Sequence, residues 1–223
     1  MQSVPITDLS TPVHQEPRWP AAIALLAVGS LRFALPAALS VGPSWIVLLL
    51  VIILLIPTEW SRRLNCDTLT TRLGYFTITL VTVDMIWSLS RLIGAIPSHI
   101  EQPRDMLKSA AELWTSNVLI FASWYWRLDA GGPRARELRG VHIDGAFLFP
   151  QMTLDRESRR QMGEDTWSPG FVDYLFLAFT TSTAFSPTDT PVLSSWAKIM
   201  MMVQALISLA IVAVLAARAV NIL

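Results

Sequence analysis

Residues 171–202 read FVDYLFLAFTTSTAFSPTDTPVLSSWAKIMMM, an apolar stretch, then a polar strip, then apolar sequence again. The first apolar part, residues 171–183, rises about 20 Å as a helix. That length falls short of the ~30 Å hydrocarbon core and reaches its middle. Irregular polar backbone at that depth survives only where it is buried in protein or lines water. The stretch therefore demands a membrane fold in which a half-helix enters, turns and is followed by a full span.

The rest of the chain agrees with a membrane solvent. Only 15% of the residues are charged, against about 25% in soluble domains, and 52% are hydrophobic. The first 18 residues are polar, carry prolines and lack a basic start, so they read as a disordered tail rather than a signal peptide. A four-helix membrane region is expected over residues 19–128. Its first span carries Arg32 near the middle and Pro36 one turn on. The second, SWIVLLLVIILLIP, is apolar on every face and meets lipid on at least one side. Trp45 and Trp60 mark its two interfaces. A basic loop with Arg62, Arg63 and Arg72 leads to a third span over residues 75–96. The fourth helix is expected over residues 106–128, with Trp124, Tyr125 and Trp126 as an interfacial girdle. Residues 129–168 form an extramembrane segment of mixed charge, whose apolar patch 146–149 must pack on something. Residues 169–223 hold the half-helix, capped by Ser168 with Pro169 in its first turn, the polar strip and a C-terminal span over residues 194–221. The fold expected is an all-α integral membrane protein with five transmembrane helices plus a re-entrant pore-type half-helix. Six transmembrane helices are the alternative.

The layout of residues 171–221 resembles the pore module of the potassium-channel superfamily: pore helix, filter, inner helix. Thr181 and Thr183 fall where that family has its pore-helix threonines. Ala184, Phe185, Ser186, Pro187, Thr188 and Asp189 fall on its T-V-G-Y-G-D filter, and Asp189 alone matches. Trp196-Ala197-Lys198 stands where the inner helix starts. The resemblance implies an oligomeric channel, tetrameric by analogy, with inorganic cations as partners. The departure has a physical consequence. Filter glycines supply left-handed backbone that other residues resist, and proline fixes φ near −65°. No potassium-type carbonyl ladder is expected; a ring of hydroxyls and of Asp189 carboxylates would pass cations with weak selectivity. The chain also resembles an uncharacterised family of bacterial multi-pass membrane proteins, through its Ser/Thr-Asp strip and the ending Ala219-Val220-Asn221. That resemblance implies a bacterial inner membrane and no known activity.

Two further sets of residues bear on function. On the last helix Gln204, Ser208, Ile211, Leu215 and Arg218 fall near one line at 100° per residue. They either line a pore, with Ile211 and Leu215 as its constriction, or pack on a neighbouring helix. Within the spans lie Arg32, Asp84, Arg91 and Glu112. Charges at that depth are paired as a rule, and Arg32 with Asp84 across two helices is the natural pair. Such a pair either fixes helix register or serves a small transporter as a relay. A non-conducting scaffold that binds a partner through residues 133–168 is a third reading.

Several classes are excluded or unsupported. Net charge is zero, so a nucleic acid has no electrostatic footprint. Cys66 is the one cysteine, and His14, His99 and His142 lie far apart, so neither a metal site nor a cofactor is expected. No phosphate loop, HExxH or G-x-S-x-G motif points to an enzyme. Orientation is contested. Arg62, Arg63 and Arg72 favour a cytoplasmic second loop, which also puts residues 133–168 in the cytoplasm. A potassium-type pore helix enters from outside. The conflict resolves with six spans, or with a half-helix that enters from the cytoplasm.

Overall fold

The computed structural model describes residues 16–35, 42–64, 66–94, 103–139, 145–164, 167–185 and 190–220. Nine α-helices are described: α1 (Trp19–Leu31), α2 (Trp45–Arg63), α3 (Asp67–Gly94), α4 (Pro103–Leu128), α5 (Pro133–Arg139), α6 (Pro150–Thr153), α7 (Arg156–Gln161), α8 (Phe171–Ala184) and α9 (Ser195–Val220). Among the described residues there is no strand, and one antiparallel bridge joins Phe147 to Val192. Three helices are long and apolar enough to cross a bilayer: α2, α3 and α9 over Ser195–Ala217. On that ground the chain is an all-helical membrane protein.

Local chemistry sets the helix ends. Pro20 sits in the first turn of α1, where its missing N–H costs nothing. A 3-10 turn over Arg32–Ala34 follows, and Leu35 is extended. The residue before a proline is pushed out of the helical region, and here Pro36 comes next. In α2 Pro57 removes one backbone donor, and the Thr58 hydroxyl donates to the Leu54 carbonyl at 2.6 Å. Most of α2's apolar side chains stay exposed, Leu49, Ile53 and Ile56 among them, as a lipid-facing helix requires. At Gly29 a Cβ would lie 2.9 Å from the Leu48 Cα, so glycine permits the close approach of α1 to α2.

Several boundaries differ from the sequence expectation. The tail expected through residue 18 is docked from Glu16 onward: Arg18 donates to Glu137 at 2.9 Å, and Arg136 donates to Glu16 at 2.9 Å. The basic loop shortens, because α2 runs to Arg63 and α3 already begins at Asp67. The cap of α8 is Gly170, whose N–H donates to the Asp173 carboxylate at 2.8 Å, rather than Ser168. Tyr125 and Trp126 are not an interfacial girdle. They are 0% and 2% exposed, because Phe147 and Phe171 pack against their rings.

Contacts fix the direction of each helix. Trp126 of α4 meets Phe171 of α8, and Trp114 meets Phe179, so α4 and α8 are antiparallel. Tyr174 of α8 and Trp196 of α9 both meet the ring of Phe147, at 6.2 and 6.0 Å. Eight residues further along each helix, Gln204 donates to Ser182 at 2.9 Å. Equal steps from a shared level mean that α8 and α9 run the same way. Between them the chain turns back on itself: Leu148 N–H donates to the Pro191 carbonyl at 3.0 Å, and Leu193 N–H to the Ala146 carbonyl at 2.8 Å. Residues 191–193 have thus returned to the level at which α8 began. The patch expected to pack does so here, with Phe147 and Phe149 buried against Tyr125, Tyr174, Trp167 and Trp196.

Candidate functional site

The interior between α4, α8 and α9 holds a polar network. Asn117 and Tyr125 lie on one face of α4, and Gln204 and Ser208 lie one turn apart on α9. Gln204 is used almost completely. Its Nε2 donates to the Ala178 carbonyl at 2.8 Å and to Ser182 Oγ at 2.9 Å, and its Oε1 accepts from the Tyr125 hydroxyl at 2.6 Å. Asn117 Nδ2 donates to Ser208 Oγ at 2.8 Å. Each such bond is modest, and together they fix how α8 seats on α9.

This placement bears on the α9 stripe. Gln204, Ser208 and Ile211 are each 0% exposed within one protomer. Within the protomer their side chains pack against α4 and α8, the second of the two arrangements open to this stripe. Leu215 is half-buried beside the same core, and the side chain of Arg218 lies outside the description. The outward face of α9 is apolar instead, with Ile199, Val203, Leu206 and Leu209 exposed.

The tip of α8 carries the threonines. Thr181 is buried, and its hydroxyl donates to its own helix at the Leu177 carbonyl, 2.8 Å away. It too faces the protomer interior. Thr183 is exposed and donates to the Phe179 carbonyl at 3.0 Å. Ala184 is exposed, and Phe185 ends the helix in the left-handed region at φ 56°. A side chain other than glycine rarely adopts that conformation, which here breaks the helix sharply. Ser186, Pro187, Thr188 and Asp189 lie outside the described residues, as do His14, His99 and His142.

A second cluster joins α1, α3 and α4. Arg32 donates to Asp84 at 2.7 Å and to Ser88 at 2.6 Å, and is 2% exposed. Glu112 is 4% exposed, and the fields of both Arg32 and Asp84 act on it. Its Oε1 accepts a long bond from Ser116 at 3.4 Å, and its Oε2 has no partner among the described residues. One guanidinium thus serves two carboxyls, and the geometry gives it to Asp84. Arg91 is exposed on α3.

Sequence reasoning passed over a third set, at the opposite ends of these helices. Asp129 is fully buried where α4 stops. It accepts from the Ala146 N–H at 2.5 Å and from the Tyr174 hydroxyl at 2.7 Å, while its carbonyl accepts from Arg136. It therefore ties the extramembrane segment to the start of α8. Glu16 accepts from Arg136 and from the Trp126 indole. These partners lie up to 120 positions apart, and no local pattern announces them. Among the described residues no group of histidine, cysteine and carboxylate side chains could hold a metal ion.

No protein-family model, no curated protein and no solved structure matches this chain.

Proposed function

We propose that the chain is a multi-pass inner-membrane protein of the pore-loop type, which passes cations with weak selectivity through a constriction built by several copies. In this reading α2, α3, α4 and α9 are full crossings, α1 with the 3-10 turn that extends it through Ala34 is the fifth, and α8 is a re-entrant half-helix. The observation that carries it is the common direction of α8 and α9, with the return pinned back at Pro191 and Leu193. The 14 residues of α8 rise about 21 Å, less than a crossing needs. The entry side follows from charge. Arg62 and Arg63 end α2, and Arg134 and Arg136 surround the start of α5, all on the face from which α8 descends. The excess of arginine marks that face as cytoplasmic. The half-helix then enters from the cytoplasm, opposite in sense to a potassium channel. Thr183 and residues 186–189 would form the constriction. The outward apolar face of α9 would line its approach, a wall that gates by dewetting.

A second reading has its own support. The unpartnered Oε2 of Glu112, beside the Arg32–Asp84 pair, suits a small transporter that moves a proton or cation through the protomer.

One experiment separates the two. The purified protein is reconstituted in vesicles and monovalent cation flux is followed. In the pore reading Asp189→Asn lowers flux by roughly tenfold or more, since a carboxylate ring concentrates cations in a narrow mouth, and Glu112→Gln leaves flux near wild type. Loss of flux in Glu112→Gln with no change in Asp189→Asn transfers the function to the charge cluster. Absence of flux in the wild-type protein removes both.

A further inference from the structure

At the arginine-rich face a cavity of about 680 Å³ opens between α1, α2, α3 and α4. Its floor is apolar, with Leu25, Leu55 and Ile78, and its mouth is ringed by ionic side chains. Four carboxylates line that mouth, and each is already engaged. Glu16 is held by Arg136, Glu59 by Arg62, Asp67 by Arg134 and Glu137 by Arg18. Arg127 lines the same cavity and makes no ion pair among the described residues. Its guanidinium lies over the Trp126 ring at 5.5 Å, and its Nε has no hydrogen-bond partner.

The position of Arg127 is specified by the sequence around it. A Cβ on Gly74 would come 2.1 Å from the Arg127 guanidinium carbon. The side chain therefore lies across bare α3 backbone at Gly74. Arg18 lines the same cavity and is taken up by Glu137. Arg127 is thus a cation against apolar walls with no ion pair among the described residues. Guanidinium binds phosphate in a two-pronged geometry, and Arg127 lines the cavity with such a group.

We propose that this cavity binds one anionic phospholipid, its phosphate on the Arg127 guanidinium and the start of its acyl chains on the floor of Leu25, Leu55 and Ile78. The placement matches the two halves of the molecule: charge at the face, hydrocarbon toward the bilayer. It does not depend on whether the chain conducts or transports. It also differs from the general pull of a basic surface on an acidic bilayer, which salt screens over about 8–10 Å. A guanidinium–phosphate contact inside a cavity is screened far less.

The test is native mass spectrometry of the purified protein, exchanged into detergent with phosphatidylglycerol or phosphatidylcholine added at equal concentration, at low and high salt. The expected result is one phosphatidylglycerol retained per protomer, preferred by about tenfold or more as a charge-assisted bidentate contact implies, and still retained at high salt. Arg127→Met should abolish the preference and Arg127→Lys should weaken it. Arg160→Gln, an exposed change outside the cavity, should leave it intact. Equal retention of the two lipids by the wild-type protein overturns the proposal, whether or not the variants fold. So does retention unchanged in Arg127→Met. Inorganic phosphate that displaces phosphatidylglycerol at equal concentration also overturns it, because the site would then read the free anion rather than the lipid.

Discussion

Arg32→Met should destabilise the folded protein by about 3–5 kcal/mol, the usual cost of stripping one partner from a buried ion pair. The reason lies in what it leaves behind. Asp84 and Glu112 would share one interior with no cation, and Ser88 would lose its donor. Arg32→Met paired with Asp84→Leu should recover much of the loss, since an apolar pair of similar volume often replaces a buried ion pair at little cost. Urea unfolding in detergent measures both. A single variant as stable as the wild type would mean that the pair is hydrated and that the helices are held elsewhere.

Gln204→Leu should be the second severe change. It removes three hydrogen bonds at once and strands the Tyr125 hydroxyl and Ser182 in an apolar seam. A stranded group costs about 1–3 kcal/mol in a soluble interior, whereas interhelical bonds in membranes average nearer 0.6 kcal/mol. Taken over three bonds, a loss of about 2–4 kcal/mol is expected. Tyr125→Phe removes one of the three and should cost about 1 kcal/mol or less. The same unfolding measurement ranks them. Equal losses for the two variants would show that Gln204 does not act as the hub. Because Gln204 holds α8 to α9, its variant should also loosen the half-helix, with faster hydrogen exchange over residues 171–184 than over α3.

These two residues show where a sequence stops being readable. Arg32 and Asp84 could be paired from the chain alone, because charge in hydrocarbon has few alternatives. The end of α8 could be placed too: a polar strip follows residue 183, and the helix stops at Ala184. The stripe of Gln204, Ser208 and Ile211 was equally visible as a stripe. Periodicity says which residues share a face but not which neighbour that face meets, and here it meets α4 and α8. The aromatic run Trp124-Tyr125-Trp126 failed for a related reason. Ring chemistry suits an interface and a core alike, and Phe147 and Phe171, distant in sequence, decided it. Asp129, Glu16 and Arg127 left no local trace, since their roles come from residues brought together by the whole fold.

The central claim is that α8 enters the membrane and the chain leaves it on the same side, the arginine-rich side. It is tested most directly by thiol labelling in sealed vesicles of known orientation, using a membrane-impermeant maleimide. Cys66 is exposed just after α2 and serves as the marker of that face. With Cys66 replaced by serine, single cysteines at Ser168 and Ser194 flank the half-helix and its return. Labelling of all three positions from the cytoplasmic side is the expected result. Labelling of Ser168 and Ser194 from opposite sides would make α8 a true span and contradict the account.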